Sequence, residues 1–510
     1  MTPDVVAVTL GPLDLVVVDS LETALHIHFG WSRFRAGQRP VVEAVLSGRD
    51  ALAVLPTGGG KSLCYQLPAL IRGGLVVVIS PLVALMEDQV LQLRRRGIAA
   101  ACLHAGLDPA RRQQAMAALR DESLRLLYLA PERLQGEATQ RLLETHAAEG
   151  RLVALAVDEA HCISAWGHDF RPDYRRLGLI RRLCPGVPML ALSATAAPRV
   201  RADILRLLDL RSPLVQVSSA RRENLRYAMQ RRPRDPMPQV LEALEQSRGA
   251  TLIYARTRRS VEHWAERLQG QSVEATPYHA GLDPATRQTA LTQFLEQERP
   301  VLVATVAFGM GVDRGDVGLV LHLDLPSTPE GYLQESGRAG RDGQPARCLV
   351  LFSPGDRTSL GWAMQAAAGR GTTADERHRL DLAQQQLRRM EAVAEGEMCR
   401  EQALLLAVGE LVDPCGRCDR CSASPKRKDW SRQATTLLTH LDDLDGTDMR
   451  RLGEHLALHE TGQGERWTWL ARRLVQEELI RESNDGVQRL QLRDSGRRYL
   501  ERPWPLDFAA

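Results

Sequence analysis

Leu52-Ala-Val-Leu-Pro-Thr-Gly-Gly-Gly-Lys-Ser62 leads an apolar strand, Ala51 to Leu55, into three glycines, a lysine and a serine. Glycines let successive backbone N–H groups turn toward one anion, and a following helix adds its positive N-terminal end. Leu55 stands where the strict phosphate-loop pattern has its first glycine. A glycine-rich turn with a solvated lysine is the weaker alternative. The stretch therefore predicts a site for a nucleoside triphosphate such as ATP.

Each residue type in this stretch has a predicted task. Lys61 is expected to reach the β- and γ-phosphates, and the Ser62 hydroxyl to bind Mg²⁺. The loop residues predicted to surround the phosphates are Thr57, Gly58, Gly59 and Gly60.

Size and composition limit the class of protein. A chain of 510 residues suggests about three domains, and its 44% hydrophobic and 25% charged residues are ordinary for soluble globular domains. The net charge of +3 permits a polyanionic partner without identifying one. Residues 1–20 form an extension without the basic region of a signal peptide, and no apolar run approaches the ~20 residues of a membrane span. We expect a cytoplasmic protein with reduced thiols and no membrane partner.

A duplication lies inside the chain. His104-Ala-Gly-Leu-Asp-Pro-Ala-Arg-Arg-Gln113 recurs as His279-Ala-Gly-Leu-Asp-Pro-Ala-Thr-Arg-Gln288, an offset of 279 − 104 = 175 that holds without gaps on both sides. Apolar runs alternating with amphipathic stretches indicate parallel sheets covered by helices. We predict an α/β protein with two such lobes, at residues 21–215 and 216–355. The second includes a linker or hinge at Arg221 to Pro238.

Two further stretches complete the predicted ATP site. Leu152-Val-Ala-Leu-Ala-Val-Asp158-Glu159 ends a buried strand in two carboxylates, of which Asp158 suits Mg²⁺ and Glu159 the attacking water. A capping pair of acids is the alternative. In the second lobe, Arg338 and Arg341 lie three residues apart, on one face of a helix, where their charges suit a γ-phosphate. Ser193 and Thr195, at another strand end, are predicted to couple hydrolysis to movement.

Together these motifs resemble superfamily 2 helicases, and specifically the RecQ family of DNA helicases, over residues 21 to 425. Phe29-Gly-Trp-Ser-Arg-Phe-Arg-Ala-Gly-Gln38 looks like the adenine-recognition motif of that family. By this resemblance Gln38 reads the adenine edge, with Arg35 and Trp31 beside the nucleotide. Arg341 matches the arginine finger of the family and Arg338 its phosphate-facing neighbour. The resemblance implies RecA-like lobes and ATP-driven 3′→5′ movement along single-stranded DNA.

A second diagnostic segment, Cys162 to Pro172, is similar to the aromatic-rich loop of RecQ proteins. Trp166 and Phe170 offer faces on which bases stack at ~1–3 kcal/mol each, and Arg171 attracts phosphate. Ordinary core aromatics are the alternative. The residues predicted to contact DNA or to couple it to hydrolysis are Trp166, His168, Phe170, Arg171, Ser193, Thr195, Thr257, Arg258 and Thr305.

Four cysteines, Cys399, Cys415, Cys418 and Cys421, fall close together in a predicted subdomain at residues 356–425. Short C-x2-C spacings bring thiolates together around tetrahedral Zn²⁺. Disulfides and an iron–sulfur cluster are the alternatives. The cluster resembles the RecQ zinc subdomain, in which a helix at about 375–396 precedes the first cysteine. We predict structural zinc.

Residues 430–510 are predicted to form a compact winged-helix-like domain. Helical stretches at Gln433–Leu441, Met449–Leu458 and Trp467–Glu478 precede a hairpin at Asn484-Asp-Gly486. The hairpin tip carries no aromatic wedge, and Gly462-Gln-Gly-Glu465 replaces a longer basic stretch. The resemblance implies a short form without the C-terminal HRDC domain of many relatives.

We therefore predict a monomeric, ATP-dependent DNA helicase of the bacterial cytosol, associated with the nucleoid and acting in DNA recombination and repair. Its expected cofactors are Mg²⁺ and Zn²⁺. Its expected partners are single-stranded and tailed duplex DNA, with a single-strand DNA-binding protein as a candidate. One alternative is a DNA-stimulated translocase, remodeller or annealing protein with inefficient strand separation, because the wing is reduced. The other is an RNA helicase of the same superfamily.

Overall fold

A computed structural model describes residues 20–167, 169–306, 308, 314–368, 373–423, 427–444, 447–459, 464–483 and 489–509. It confirms the predicted fold class of two parallel-sheet α/β lobes followed by a cysteine-rich helical subdomain. The predicted extension, except for Ser20, lies outside the described residues.

The first lobe is built on a seven-stranded sheet in which every paired strand is parallel. Its strands are β1 (Ala51–Val54), β2 (Leu75–Ile79), β3 (Ala100–Leu103), β4 (Leu126–Leu129), β5 (Leu152–Val157), β6 (Met189–Ser193) and β7 (Leu214–Val217), in the order β3-β4-β2-β5-β6-β1-β7. Its α-helices are α1 (Leu21–Phe29), α2 (Gln38–Leu46), α3 (Leu63–Arg72), α4 (Val83–Arg95), α5 (Pro109–Arg120), α6 (Glu137–Ala148), α7 (Gly178–Leu183) and α8 (Pro198–Leu207). Short 3-10 turns lie at Pro131–Gln135, Ala160–Ile163 and Pro172–Leu177.

The second lobe has a six-stranded sheet, again parallel throughout. Its strands are β8 (Leu225–Arg231), β9 (Ala250–Tyr254), β10 (Ala275–Tyr278), β11 (Val301–Ala304), β12 (Val317–His322) and β13 (Ala346–Phe352), in the order β10-β11-β9-β12-β13-β8. Its helices are α9 (Met237–Glu245), α10 (Arg258–Gln269), α11 (Pro284–Glu296) and α12 (Pro329–Ser336).

The structure confirms the internal duplication strand by strand. The bounds of β9, β10 and β11 lie 175 positions after those of β2, β3 and β4, as 250 − 75 = 175 shows for the first pair. The loop before each following helix is also repeated. Asp108 caps α5 and Asp283 caps α11, each with proline at the first helical position, where the missing N–H costs nothing. The offset ends after β11, so the duplication covers three of the seven strands of the first sheet and three of the six strands of the second.

The predicted linker at Arg221 to Pro238 was wrong for residues 225–231. They form strand β8, which pairs in parallel with β13 at the edge of the second sheet. Arginine and proline residues flank this strand. Within it, the buried residues are Leu225, Tyr227, Ala228 and Met229, which do not follow the alternating pattern typical of a strand. The connection between the sheets is therefore the shorter segment 218–224, called here the interlobe linker.

The cysteine-rich subdomain contains α13 (Gly355–Ala368), α14 (Ala374–Glu395), α15 (Arg400–Ala407) and α16 (Asp419–Ser422). Helix α14 coincides with the helix predicted before the first cysteine. The subdomain shares one hydrophobic core with the second lobe, in which Met390 and Leu404 pack in the same cluster as Tyr332. Because the core is shared, the subdomain is an extension of the second lobe.

Residues 427–509 have a separate core. Their elements are β14 (Arg427–Asp429), α17 (Ser431–Asp443), α18 (Met449–His459), α19 (Gly464–Gln476), β15 (Ile480–Glu482), β16 (Leu490–Leu492), α20 (Asp494–Glu501) and β17 (Asp507–Ala509). Three helices before an antiparallel β15–β16 pair match the predicted order. The predicted turn at residues 484–486 lies outside the described residues. Helix α20, and the β14–β17 pair that closes the unit, were not predicted.

Candidate nucleotide site and nucleic-acid interface

The phosphate loop joins the end of β1 to the start of α3, as predicted. Gly58 and Gly60 have φ values of +78° and +71°, which are in the left-handed region that side chains disfavour. Leu55, in place of a first glycine, is buried, and its N–H donates to the Ser193 carbonyl at 3.0 Å. Leu55 therefore continues the hydrogen bonding between β1 and β6 by one residue, and the three-glycine turn follows it.

A cleft of about 760 Å³ opens above this loop. Of the predicted nucleotide-site residues, those lining it are Trp31, Arg35, Gln38, Thr57, Gly58, Gly60, Lys61, Ser62, Asp158, Glu159, Arg338 and Arg341. They come from both lobes. A volume of this size suits a nucleotide-sized ligand.

The two carboxylates lie where β5 ends. Burial and the neighbouring Glu159 raise the pKa of Asp158 to about 7, although Lys61 acts in the opposite direction. Glu159 has φ +47°, a strained conformation for a non-glycine residue, and its side chain is 11% exposed. Asp158 and Ser62 line the same cleft with oxygen donors, the kind of ligand that Mg²⁺ prefers. The residues present therefore fit a Mg²⁺-bound nucleotide.

The second lobe reaches the same cleft through α12 and the turn after it. The prediction that Arg338 and Arg341 share a helical face was wrong, because α12 ends at Ser336 and both arginines lie in the turn that follows. Gln334 Nε2 lies 3.5 Å from Glu159 Oε2, which places a second-lobe amide beside the carboxylate predicted to act on water. Arg341 lies against the phosphate loop: a β-carbon placed on Gly58 would be 3.4 Å from Arg341 Cγ. Arg338 is buried nearby. The two predicted arginines thus face the predicted phosphate site.

Gln38, predicted to read adenine, is buried against the phosphate loop. Its Nε2 donates to the Gly59 and Gly60 carbonyls at 3.0 Å each, and its Oε1 accepts from the Arg35 N–H at 2.8 Å. Arg35 also donates to the Gly58 carbonyl. Trp31 is exposed and stacks on Phe29 with ring centroids 5.4 Å apart. Gln38 and Arg35 thus tie this motif to the loop, so adenine would have to share or replace these hydrogen bonds.

A buried histidine links the acidic strand to the predicted coupling residues. His161 Nδ1 lies 3.0 Å from Ser193 Oγ and 3.3 Å from Glu159 Oε2. Ser193 donates its proton to the Thr195 carbonyl at 2.7 Å, so Nδ1 of His161 must carry the hydrogen of the first contact. Burial lowers the pKa of His161 to about 4, which keeps the ring neutral at physiological pH. The Thr195 hydroxyl is buried with no hydrogen-bond partner among the described residues.

The predicted aromatic loop lies between the first lobe and α14. The Trp166 ring has the Arg199 guanidinium 3.2 Å from its centroid and the His378 ring at 5.9 Å. The Phe170 ring lies 5.1 Å from Arg175 and 5.6 Å from Arg379. Both aromatic residues are half-buried beside cations, so each face that could stack on a base is next to positive charge.

The other predicted DNA contacts differ in their surroundings. Arg171 donates to the Pro81 carbonyl at 2.8 Å and pairs with Asp169 at 2.9 Å, which occupies donors expected for phosphate. Thr257 caps α10 by accepting from the Ser260 N–H at 3.1 Å. Arg258 packs against Gly281 of the repeated turn, and Thr305 follows β11. His168 lies outside the described residues.

The four predicted cysteines gather in one cluster, with their sulfur atoms all within 4.8 Å of one another. Tetrahedral Zn²⁺ with bonds of about 2.3 Å places sulfurs about 3.8 Å apart. The Cys415–Cys421 and Cys399–Cys418 sulfur distances are 4.0 and 3.9 Å. Backbone N–H groups point at the sulfurs, including that of Cys418 at 3.3 Å from Cys415 Sγ. The geometry therefore fits a zinc site, and zinc would hold Cys399, just before α15, to the segment Cys415–Cys421.

Several residues of the site carry no local sequence signal of their role. Gln334, four positions before Arg338, and His161, two positions after Glu159, received no role. Arg222 and Asn224, in the interlobe linker, donate hydrogen bonds to the turn that carries Arg341. No local pattern marks the linker pair, because its partners lie more than 100 positions away in sequence.

Comparison with protein families gives three adjoining matches. Residues 35–204 match the DEAD/DEAH box helicase family, and residues 235–343 match the helicase conserved C-terminal domain. Residues 354–422 match the RecQ zinc-binding family. The fold and the cleft thus define the two-lobed core of superfamily 2 helicases.

Curated relatives narrow this class. The ATP-dependent DNA helicase RecQ of Pasteurella multocida is 38% identical over 85% of this chain and 66% of its own length. That of Haemophilus influenzae is 40% identical over 79% of this chain and 63% of its own length. The probable ATP-dependent DNA helicase RecS of Bacillus subtilis is 40% identical over 66% of this chain and 67% of its own length. The chain belongs to the RecQ family, and it spans about two thirds of these relatives.

Solved structures agree on the fold. A Mycobacterium smegmatis helicase, Lhr, bound to single-stranded DNA and AMP-PNP, has a TM-score of 0.55 at 18% identity, covering 94% of this chain and 61% of that one. The RNA-bound helicase Mss116p has a TM-score of 0.56 at 14% identity, covering 77% of this chain and 90% of that one. In the part of the chain that the structure describes, no helix combines the length and apolarity needed to cross a membrane.

Proposed function

We propose that this protein is an ATP-dependent DNA helicase that moves 3′→5′ on single-stranded DNA. The observation that carries the proposal is the meeting of both lobes in one cleft. Glu159 of the first lobe faces Gln334 of the second, and Arg341 lies against Gly58. A cleft whose catalytic groups come from two lobes makes hydrolysis depend on the distance between them.

In this proposal, each part of the cleft has one task. Lys61 holds the β- and γ-phosphates, Glu159 orients the attacking water with help from Gln334, and Arg341 and Arg338 stabilise charge on the transferred phosphate. Bound through Ser62 and Asp158, Mg²⁺ would supply charge neutralisation at the phosphates. His161 and Ser193 connect the water-activating carboxylate to the strand end at Thr195, and so to the DNA side of the lobe.

DNA is the proposed track because the aromatic loop combines ring faces with arginines, the features that bind single strands without regard to sequence. The relatives that match this chain are named ATP-dependent DNA helicases. Single-stranded and tailed duplex DNA are the proposed substrates, in recombination and repair, with a single-strand DNA-binding protein as a candidate partner. We further propose a monomer acting in a cytosolic compartment, where its thiols stay reduced.

The test is ATP-driven unwinding of a short duplex with a 3′ single-stranded tail. Lys61→Ala is the inactive blank, and Lys428→Ala, which removes an exposed lysine of β14, is the matched control. Strand release by the wild type and by Lys428→Ala, but not by Lys61→Ala, supports the helicase. DNA-stimulated hydrolysis without strand release would instead indicate a translocase or remodeller. Stronger stimulation by RNA than by DNA would overturn the choice of track.

A further inference from the structure

The interlobe linker contacts three functional parts of the protein within a few residues. Arg222 Nη2 donates to the Gly340 carbonyl at 2.6 Å and to the Ala339 carbonyl at 3.2 Å, and Asn224 Nδ2 donates to the Gly340 carbonyl at 2.8 Å. Two linker side chains thus converge on the carbonyl that directly precedes Arg341.

The turn that they hold has little freedom to adopt another shape. Gly340 has φ +55°, and a β-carbon at this position would lie 2.4 Å from Asn224 Nδ2. Asn224 Nδ2 also donates to the Gln344 carbonyl at 2.8 Å, and its own carbonyl accepts from the Ala346 N–H at 2.9 Å. Because Arg341 follows Gly340 directly, the orientation of this peptide sets the direction in which the Arg341 side chain leaves the backbone.

The same guanidinium also reaches the phosphate loop. Arg222 Nη1 lies 3.5 Å from the Thr57 carbonyl. Nearby, a β-carbon on Gly337 would be 3.0 Å from Thr57 Cβ, so the two lobes are in close contact here. A planar guanidinium can span two carbonyls in fixed geometry, which an ammonium cannot do. Arg222 therefore ties the position of the arginine-bearing turn to that of the loop expected to hold phosphate.

The linker is held from its other side by the zinc subdomain. Arg417, between Cys415 and Cys418, donates from Nη2 to the Arg222 carbonyl and from Nε to the Leu225 carbonyl, both at 3.1 Å. Its N–H lies 3.5 Å from Cys415 Sγ.

A buried carboxylate strengthens this attachment. Glu401, 2% exposed, pairs with Arg417 and, at 2.8 Å, with Arg221 Nε. The cysteine cluster, Arg417, Arg222 and the Arg341 turn thus form one continuous chain of contacts.

We propose that Arg222 is a positioning residue for Arg341 in ATP hydrolysis, and that Arg417 holds Arg222 in place from the cysteine cluster. This inference rests on the proposed ATPase activity. In the described part of the chain, Arg222 makes its hydrogen bonds to Asn224, Thr57, Ala339 and Gly340, and none to Asp158 or Glu159. Its effect on the reaction passes through the Gly340 peptide, so it should matter only as long as Arg341 is present.

A double-mutant cycle in the full chain tests the first part. Single-stranded DNA is saturating, and kcat and KM for ATP are measured for wild type, Arg222→Gln, Arg341→Ala and the double variant. Arg222→Gln should lower kcat by about 10- to 100-fold, as small misplacements of catalytic groups do, with the Kd of a fluorescent ATP analogue changed by less than about threefold. In the Arg341→Ala background the same substitution should change kcat by less than about twofold.

Independent effects would overturn the inference. If the fold-reductions in kcat from the two substitutions multiply in the double variant, Arg222 does not act through Arg341. The same conclusion follows if Arg222→Gln leaves kcat unchanged. Arg226→Gln, at an exposed position on β8, is the matched control and should retain wild-type kcat. If Arg222→Gln does not fold, Asn224→Ala replaces it in the double-mutant cycle, because Asn224 donates to the same Gly340 carbonyl. A wild type without ATPase activity would refute the proposed function, a result distinct from an active wild type with a multiplicative cycle.

Arg417→Gln tests the second part, with the zinc content measured alongside the kinetics. We expect about one equivalent of zinc in both wild type and variant, since no cysteine changes, and a kcat reduced by at least about fivefold, since the linker loses its support. Unchanged kcat at full zinc content would show that Arg222 is held without Arg417. Loss of zinc from the variant would also count against the inference, because Arg417 would then be needed for the metal site itself rather than for holding the interlobe linker.

Discussion

Glu482→Gln should loosen the attachment of residues 427–509 to the rest of the protein. Arg357 of α13 binds Glu482 of β15 through both terminal nitrogens, at 2.5 Å each, and its Nε lies 3.1 Å from Glu391. The Arg357 and Glu482 side chains are only 8% and 2% exposed. The pair is therefore a buried ionic contact between two cores.

The magnitude follows from this burial. Removing one partner of a buried ion pair costs about 3–5 kcal/mol, because the remaining charge stays desolvated. Glu391 keeps part of the compensation, so we expect about 3 kcal/mol, near the lower end of that range. This free energy is lost from the contact between residues 427–509 and the zinc subdomain. At about 1.4 kcal/mol per factor of ten, the fraction of molecules in which this contact is open should rise about 100-fold.

Hydrogen exchange followed by mass spectrometry measures this opening, on peptides from β15 and α19, two elements of residues 427–509 that contact the zinc subdomain. The matched control is Glu478→Gln, whose pair with Arg493 at 3.2 Å is 76% and 42% exposed, and it should change exchange by less than about fivefold. The double variant Arg357→Met, Glu482→Met should recover much of the protection, because it leaves no buried charge from the pair. Equal exchange in the Glu482 and Glu478 variants would refute the reasoning.

Three further predictions concern the aromatic loop, the cysteine cluster and a buried carboxylate of α14. Trp166→Ala should weaken the stimulation of ATP hydrolysis by single-stranded DNA by about tenfold, since stacking is worth ~1–3 kcal/mol per base. Hydrolysis without DNA should stay near wild type. Normal stimulation by DNA would exclude the assignment of Trp166 as a DNA contact. Cys418→Ser should lower the zinc content, measured by atomic spectrometry, below about half an equivalent, because a tetrahedral site loses one of four ligands. Burial raises the pKa of Glu391 from 4.5 to about 7, so its contribution to stability is present below pH 4.5 and is lost as pH rises through about 7. The Tm of Glu391→Gln minus that of wild type should therefore be more positive at pH 8 than at pH 5, and a pH-independent difference would contradict this.

Short-range patterns predicted the parts of the site that depend on neighbouring residues. The phosphate loop, the acids after β5 and the C-x2-C spacing each encode a local geometry, because a glycine turn, a strand end and a metal hook need only a few residues. The 175-residue repeat predicted the second sheet for the same reason, since each βα unit reproduces its own local pattern.

Contacts between distant segments were not predictable in this way. Strand β8 appeared as a linker because its identity as a strand comes from pairing with β13, more than 100 residues later. The hydrogen bonds of Gln38 to the phosphate loop, and of Arg222 to Gly340, depend on how whole elements pack. Such contacts involve arginine and amide side chains, whose local sequence context is that of ordinary surface residues.

The position of the cysteine cluster would give a bound zinc ion a wider structural role than stabilising a small subdomain. Its helix α14 supplies His378 to the Trp166 ring and Arg379 to the Phe170 ring, and so borders the proposed DNA contacts. The end of the same helix supplies Glu395 to Arg472 of α19.

A third contact runs from Arg417 to the interlobe linker and on toward the Arg341 turn. Since the subdomain shares its core with the second lobe, these attachments move together with that lobe when it shifts against the first. Closure of the cleft would therefore change the contacts that cross to the first lobe, at the aromatic loop and at the phosphate loop, in one step. A metal bound in the cluster would fix the relative positions of these attachments, and so would support the proposed coupling of ATP hydrolysis to DNA as well as stability.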